Sequence, residues 1–266
     1  MTTAVLSDAR RFVRQAKLPA APVRKPLGGP KRGAARPEPA FESLLDAGKD
    51  QAAVVGSELI AFVKGVTVER REAIVNSGLL AQLVANKKVP DRSKIYDWYK
   101  EYFDVLANIG WAIQETSFAE YAESSGDVEA HEAIIKVAAA VLGPAAGALA
   151  LVTTTLESLK SMNADSPWIT LFRKESQSAK TARFQVTLAQ EDEAGPFLVT
   201  VMAFGLEAKS KITQVLFFKV RKNEATLKHC SGKVTINTRV LDDVRPELSA
   251  KLSAHAQSFV KALPDL

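Results

Sequence analysis

Residues 133–159 read AIIKVAAAVLGPAAGALALVTTTLESL, and about twenty residues pass there with Lys136 as the only charge. Ile134, Ala138, Val141, Ala145, Ala148, Val152, Leu156 and Leu159 recur at steps of three and four, which lines one helical face with apolar side chains along its whole length. The opposite face is mostly alanine and glycine. Such a helix is slim and apolar nearly all round, and its chemistry places it in an interior. Gly143-Pro144 stands where it would kink or break the helix near the middle. About twenty apolar residues at 1.5 Å each reach ~30 Å, enough to cross a hydrocarbon core. Alanine and glycine bring little driving force, so one copy would insert poorly, although small residues permit close packing of helices in lipid. Lys136, Gly143, Pro144 and Gly147 are therefore the candidate residues for membrane contact and for a hinge.

Before this stretch the pattern is helical. Phe41, Leu44, Leu45, Val55, Leu59, Phe62 and Val63 fit an amphipathic helix ending at Gly65. Thr67 is placed to cap a segment running to Lys88, which Ser77-Gly78 would divide. Asp91 is expected to cap a helix in which Ile95, Trp98, Tyr99, Tyr102, Val105, Leu106 and Ile109 form a wide stripe, read as core. Residues 111–121 are read as a strand, and Asp127 as the cap of the central helix.

After Pro167 the period changes to two. Strands are expected at 168–173, 181–190, 196–208, 212–221, 224–230 and 233–238, joined by short turns into an antiparallel meander. Val240 to Leu263 is expected to be a helix across that sheet, with Pro246 tolerable only near its first turn. The fold class is thus α+β: a helical N-terminal half around the buried Ala/Gly-rich helix, then an antiparallel meander carrying a C-terminal helix. The organisation read from it is a basic tail over 1–40, a helical region over 41–165 and a sheet with its helix over 166–266, the last two sharing one core.

At 266 residues the chain is long enough to bury a full core, and 47% hydrophobic with 24% charged residues is globular in balance. The single cysteine, Cys230, excludes an internal disulfide framework. A pI near 9.2 invites a nucleic-acid reading, but residues 1–40 hold nine basic and two acidic residues, +7 of a total of +5, which leaves −2 for the rest. The basicity belongs to the tail, and nucleic-acid binding is not expected. Residues 5–17 set Val5, Leu6, Ala9, Phe12, Val13 and Ala16 on one face of a short helix. Arg10, Arg11, Arg14 and Lys17 lie largely opposite, and with Phe12 they are the candidates for docking a partner. No secretory signal of the ordinary kind is present, while an Arg-rich, acid-poor start resembles an organellar transit peptide or a docking segment. Residues 18–40 carry six of the twelve prolines and read as an extended linker. Residues 1 to about 38 are expected to be dispensable for folding.

The catalytic inventory is thin. His131-Glu132 begins like a zinc-protease helix, but the residue four beyond His131 is Ile135, so the second imidazole is missing and His131 is read as solvated. His229-Cys230 invites a nucleophilic reading, yet neighbours on a strand project to opposite faces. Cys230 is read as structural, with acylation as its possible modification. No catalytic, cofactor-binding or metal-binding residue is expected. The leading expectation is a non-catalytic, membrane-active protein of the pore-former or toxin kind, acting as a homo-oligomer at a membrane surface. The alternative is an oligomeric assembly or cargo protein that docks a protein partner through its basic tail. An enzyme comes a distant third.

Overall fold

The computed structural model describes residues 3–21, 45–121, 127–143, 146–191, 197–221 and 223–262. The proline-rich stretch 22–44, the domain boundary read at Phe41, and Pro144 lie outside the described residues. The architecture is α+β: a mostly antiparallel mixed sheet with helices on both faces.

The chain opens with helix α1 (Thr3–Gln15), followed by strands β1 (Gln51–Val55) and β2 (Glu58–Phe62), then helices α2 (Val68–Lys88) and α3 (Ile95–Asn108). Strands β3 (Trp111–Ile113), β4 (Ala119–Glu120) and β5 (Asp127–Glu129) lead to helices α4 (Ala130–Leu142), α5 (Ala146–Ser161) and α6 (Pro167–Ser176). Strands β6 (Thr181–Glu191) and β7 (Phe197–Ala208), a 3-10 turn at Val215–Phe217, β8 (Lys219–Arg221), β9 (Ala225–Ile236), helix α7 (Thr238–Phe259) and β10 (Val260–Ala262) complete it. The main sheet runs β10-β1-β2-β6-β7-β9-β3, with β4 also on β9 and only β2–β6 parallel; β5 and β8 form a separate pair. One core packs α1, α2, α3 and α7 on one face of this sheet, and the other packs α4, α5 and α6 on the opposite face.

Strands β6 and β7 pair antiparallel as expected, whereas the strands read at 224–230 and 233–238 are one strand, β9, which runs unbroken through Ser231-Gly232 and pairs with β7 in place of the strand read at 212–221. Elsewhere tertiary packing overrules the local pattern. The segment read as a helix over 41–63 holds a β-hairpin instead, because Gly56 at φ 58° opens a two-residue turn with Ser57. Ala52 and Val54 pack into one core and Ala53 and Val55 into the other, so both faces are apolar and no alternation is visible. The strand expected at 168–173 is α6: Pro167 takes the first helical position and the Ser166 hydroxyl accepts the Ile169 N–H at 3.4 Å. Only β8 is strand within 212–221.

Thr67 caps α2 as expected, but Ser77-Gly78 does not divide it; the Ser77 hydroxyl donates to the Ala73 carbonyl at 2.7 Å and the helix continues. Asp91 binds the Ser93 N–H and hydroxyl three residues before the Lys94 cap. The cap of α4 is Glu129, not Asp127, in a reciprocal capping box with Glu132. Helix α7 passes through Pro246, well beyond its first turn. The lost hydrogen bond is outweighed by burial of Leu241, Val244, Leu248 and Leu252. Helix α1 is docked, with Ala9 and Val13 buried against the α7 layer, so the N-terminus contributes core that its charge count conceals.

Candidate functional site

The Ala/Gly-rich stretch forms a helical hairpin of two short helices, 13 and 16 residues long, broken at Gly143. At 1.5 Å per residue they reach ~20 and ~24 Å, and no helix among the described residues is long and apolar enough to cross a membrane. The stretch is not an interior helix either. Ile134, Val137, Ala138, Leu151, Val152, Leu156 and Leu159 are buried, whereas Lys136, Ala140, Gly147 and Ala150 face outward. Alanine and glycine tolerate water because they have little apolar area to lose. Gly143 ends α4 at φ 66° with nothing within 4 Å of where a Cβ would stand. The break is therefore made by a backbone conformation that favours glycine, in open space.

Beneath the hairpin the sheet is apolar. Ala52, Val54, Leu59, Ala61, Ala182, Phe184, Val186, Leu188, Met202, Phe204 and Leu206 all face this layer. Phe184 and Phe204 stack with ring centroids 5.0 Å apart. Strand β6 is sided: its alternate residues Arg183, Gln185 and Thr187 turn to the α2–α3 face and are buried there.

That second face holds a buried polar row centred on Glu58. The Thr187 hydroxyl donates to one carboxyl oxygen at 2.6 Å, and the Tyr102 hydroxyl and Gln82 amide donate to the other at 3.2 Å each. Burial nevertheless pushes the Glu58 carboxyl up to about 7, outweighing the three hydrogen bonds that favour the charged form. A Cβ on Gly78 would stand 2.4 Å from Glu58 Oε2, so the glycine inside α2 lets the carboxyl approach the helix. Gln185 extends the row, donating to Tyr99 at 3.0 Å, and Tyr99 meets the Phe184 and Phe204 carbonyls. Arg183 closes it, with its guanidinium 4.4 Å over Trp98 and a 2.8 Å bond to Asn86; burial lowers it to about 10.

His131 is buried, contrary to the solvated reading, because the first turn of α4 packs against the 3-10 turn and the end of α5. Lys160 Nζ lies 3.1 Å from His131 Nε2. Glu129 Oε2 is 3.2 Å from His131 Nδ1 without the alignment of a hydrogen bond. This cluster ties the root of the hairpin to its far end.

The tail candidates divide. Arg10 pairs with Asp243, and Glu247 lies 3.8 Å away; Phe12 is half-buried; Arg11, Arg14 and Lys17 are exposed. Cys230 is buried, its thiol donates to the Glu115 carbonyl at 3.1 Å, and burial pushes it up to about 11, far from a reactive thiolate. Among the described residues no three His, Cys, Asp or Glu side chains are grouped to hold a metal. A groove of about 840 Å³ between α3 and the 113–118 segment is floored by Tyr96, Phe103 and Phe118.

No protein-family model and no curated protein matches the sequence. Weak structural similarity at low identity is found to a delta-endotoxin, at 17% identity and a TM-score of 0.40, over 85% of this chain and 96% of that one. The Evf virulence factor is similar at 12% identity and 0.38, over 74% and 82% of the two chains. The activated Cyt2Ba monomer from Bacillus thuringiensis subsp. israelensis stands at 12% and 0.31, over 52% and 79%.

Proposed function

We propose that this chain is a non-catalytic, membrane-active protein in which the α4–α5 hairpin lifts from the sheet, turning about Gly143, and exchanges its contact with the sheet for contact with lipid. The observation that carries this reading is the sheet face beneath the hairpin, which is apolar across β1, β2, β6 and β7. Lifting the hairpin would leave that face in water unless lipid replaces it. Strands β6, β7 and β9 are 11, 12 and 12 residues long, and a tilted strand needs ~9–11 residues to cross a bilayer. Helices α4 and α5, at ~20 and ~24 Å, fall short of that span. Strand β6 also has the apolar-out, polar-in alternation that membrane strands use. Several copies acting together follow from this reading, because an isolated open sheet in lipid would leave its edges unpaired.

Release of an encapsulated dye from lipid vesicles tests the proposal, scanned over lipid composition and pH, with light scattering to follow oligomer size. Release accompanied by growth in size supports it. No release across lipid compositions and pH refutes the proposal, and an oligomer whose size is indifferent to vesicles favours the assembly reading.

A further inference from the structure

A second hollow, of about 520 Å³, lies where the end of α6 meets the segment leading out of β7, and it is lined by Arg173, Lys174 and Lys211 with no carboxylate among the described residues of its walls. We infer that it binds a phosphate-bearing anion. The volume exceeds a bare phosphate and falls in the range of small-ligand sites, so a phosphate ester with an organic body fits its size.

The cations come together through a built scaffold. The Gln177 amide donates to the Ile212 and Thr213 carbonyls at 3.3 and 3.1 Å, and its oxygen accepts the Val215 N–H at 3.1 Å, which fixes the 211–215 segment against α6. A helix C-terminus ordinarily repels anions. Here Arg92 Nη1 binds the Lys174 and Gln177 carbonyls at 2.7 and 2.9 Å, so a cation covers that end. Glu175, the nearest carboxylate in α6, is held between Lys174 at 3.1 Å and Arg92 at 3.9 Å. Arg173 and Lys211 are left with no carboxylate among the described residues, and the buried Arg173 Nε–H has no hydrogen-bond acceptor there. Two cations without a carboxylate partner in the wall of one hollow are suited to charge-assisted contacts with the oxygens of an anion. Summation of charge along the sequence hides it, because the cations come from separate segments.

The inference does not depend on the membrane reading, since free phosphate is ligand enough. Inorganic phosphate should raise the melting temperature of the full chain above a chloride control of equal ionic strength. Arg173→Gln and Lys211→Gln should each weaken that effect roughly tenfold in concentration, because each removes a charge-assisted contact. Arg14→Gln, which removes an equal charge from α1, should leave it unchanged. Lys211 is exposed, so its variant tests the site even if Arg173→Gln disturbs folding. Flotation with phosphatidylcholine vesicles containing phosphatidic acid separates the sources. Binding that phosphate competes away and Lys211→Gln weakens assigns a lipid headgroup, whereas a phosphate effect without flotation assigns a soluble ester. No phosphate effect beyond chloride, flotation that phosphate does not compete, or equal loss in Arg14→Gln would overturn the inference.

Discussion

Glu58→Gln should remove a pH dependence of stability that the wild-type protein carries between acid and neutral pH. The Glu58 carboxyl moves from 4.5 in the unfolded chain to about 7 in the fold. Between those values the folded state holds a proton that the unfolded state has released, so raising the pH favours unfolding. The contribution is fully present below 4.5 and is gone above about 7. At ~1.4 kcal/mol per pH unit the span is worth about 3 kcal/mol, a large part of the stability of an ordinary domain. Glutamine cannot ionise, and with its amide nitrogen in the place of Oε1 the Thr187 hydroxyl, 2.6 Å away, can turn to accept from it while the amide oxygen keeps the Tyr102 and Gln82 donors. Urea unfolding of both proteins at pH 5, 6, 7 and 8 gives the difference directly, and other titrating groups cancel in it. The variant should gain on the wild type by about 3 kcal/mol from pH 5 to pH 8. Parallel curves would refute the reasoning, because they would mean that Glu58 titrates alike in both states and that burial does not govern it.

Gly78→Ala should destabilise by ~1–3 kcal/mol through its clash with Glu58, against a helix-propensity gain of ~1 kcal/mol; chemical unfolding decides the sign. Val13→Asp should lower stability by ~2 kcal/mol or more by undocking α1, and an unchanged melting curve would show that α1 adds nothing to the core. Cys230→Ser should leave any vesicle activity intact, and Cys230 should react with thiol reagents only on unfolding; rapid labelling of the native protein would contradict its burial.

The strands of this fold differ in how legible they are in the sequence. The antiparallel pair β6-β7 could be read because β6 alternates Phe184, Val186 and Leu188 with Arg183, Gln185 and Thr187. The hairpin β1-β2 could not, because helices cover both its faces and the sequence loses its period; the turn residues Gly56-Ser57 were the local signal that remained. In α6 the run WITLF looks like a strand by residue type, and the Ser166-Pro167 cap, which outweighs it, stands just ahead of the run. The break at Gly143 was legible, while its consequence was not: two short helices on an outer layer replace one interior span. Glu58 had no motif to announce it, since its partners Gln82, Tyr102 and Thr187 stand 24, 44 and 129 residues away. The same holds for the cations at Arg173, Lys174 and Lys211, which only the fold assembles.

In the proposed motion the hairpin leaves the sheet, and its root is where that motion can be stopped. Val128 on β5 faces Val220 on β8 across an antiparallel pair, both are buried, and α4 begins two residues after Val128. Cysteines at both positions, in a Cys230→Ser background, stand at the ~4.5–5.5 Å Cα separation of such pairs, which a disulfide can bridge. Dye release from vesicles is then measured with the pair oxidised and again after reduction. No release is expected while α4 is tethered, and full release once the bond is reduced. Equal release in both states would contradict the proposed motion.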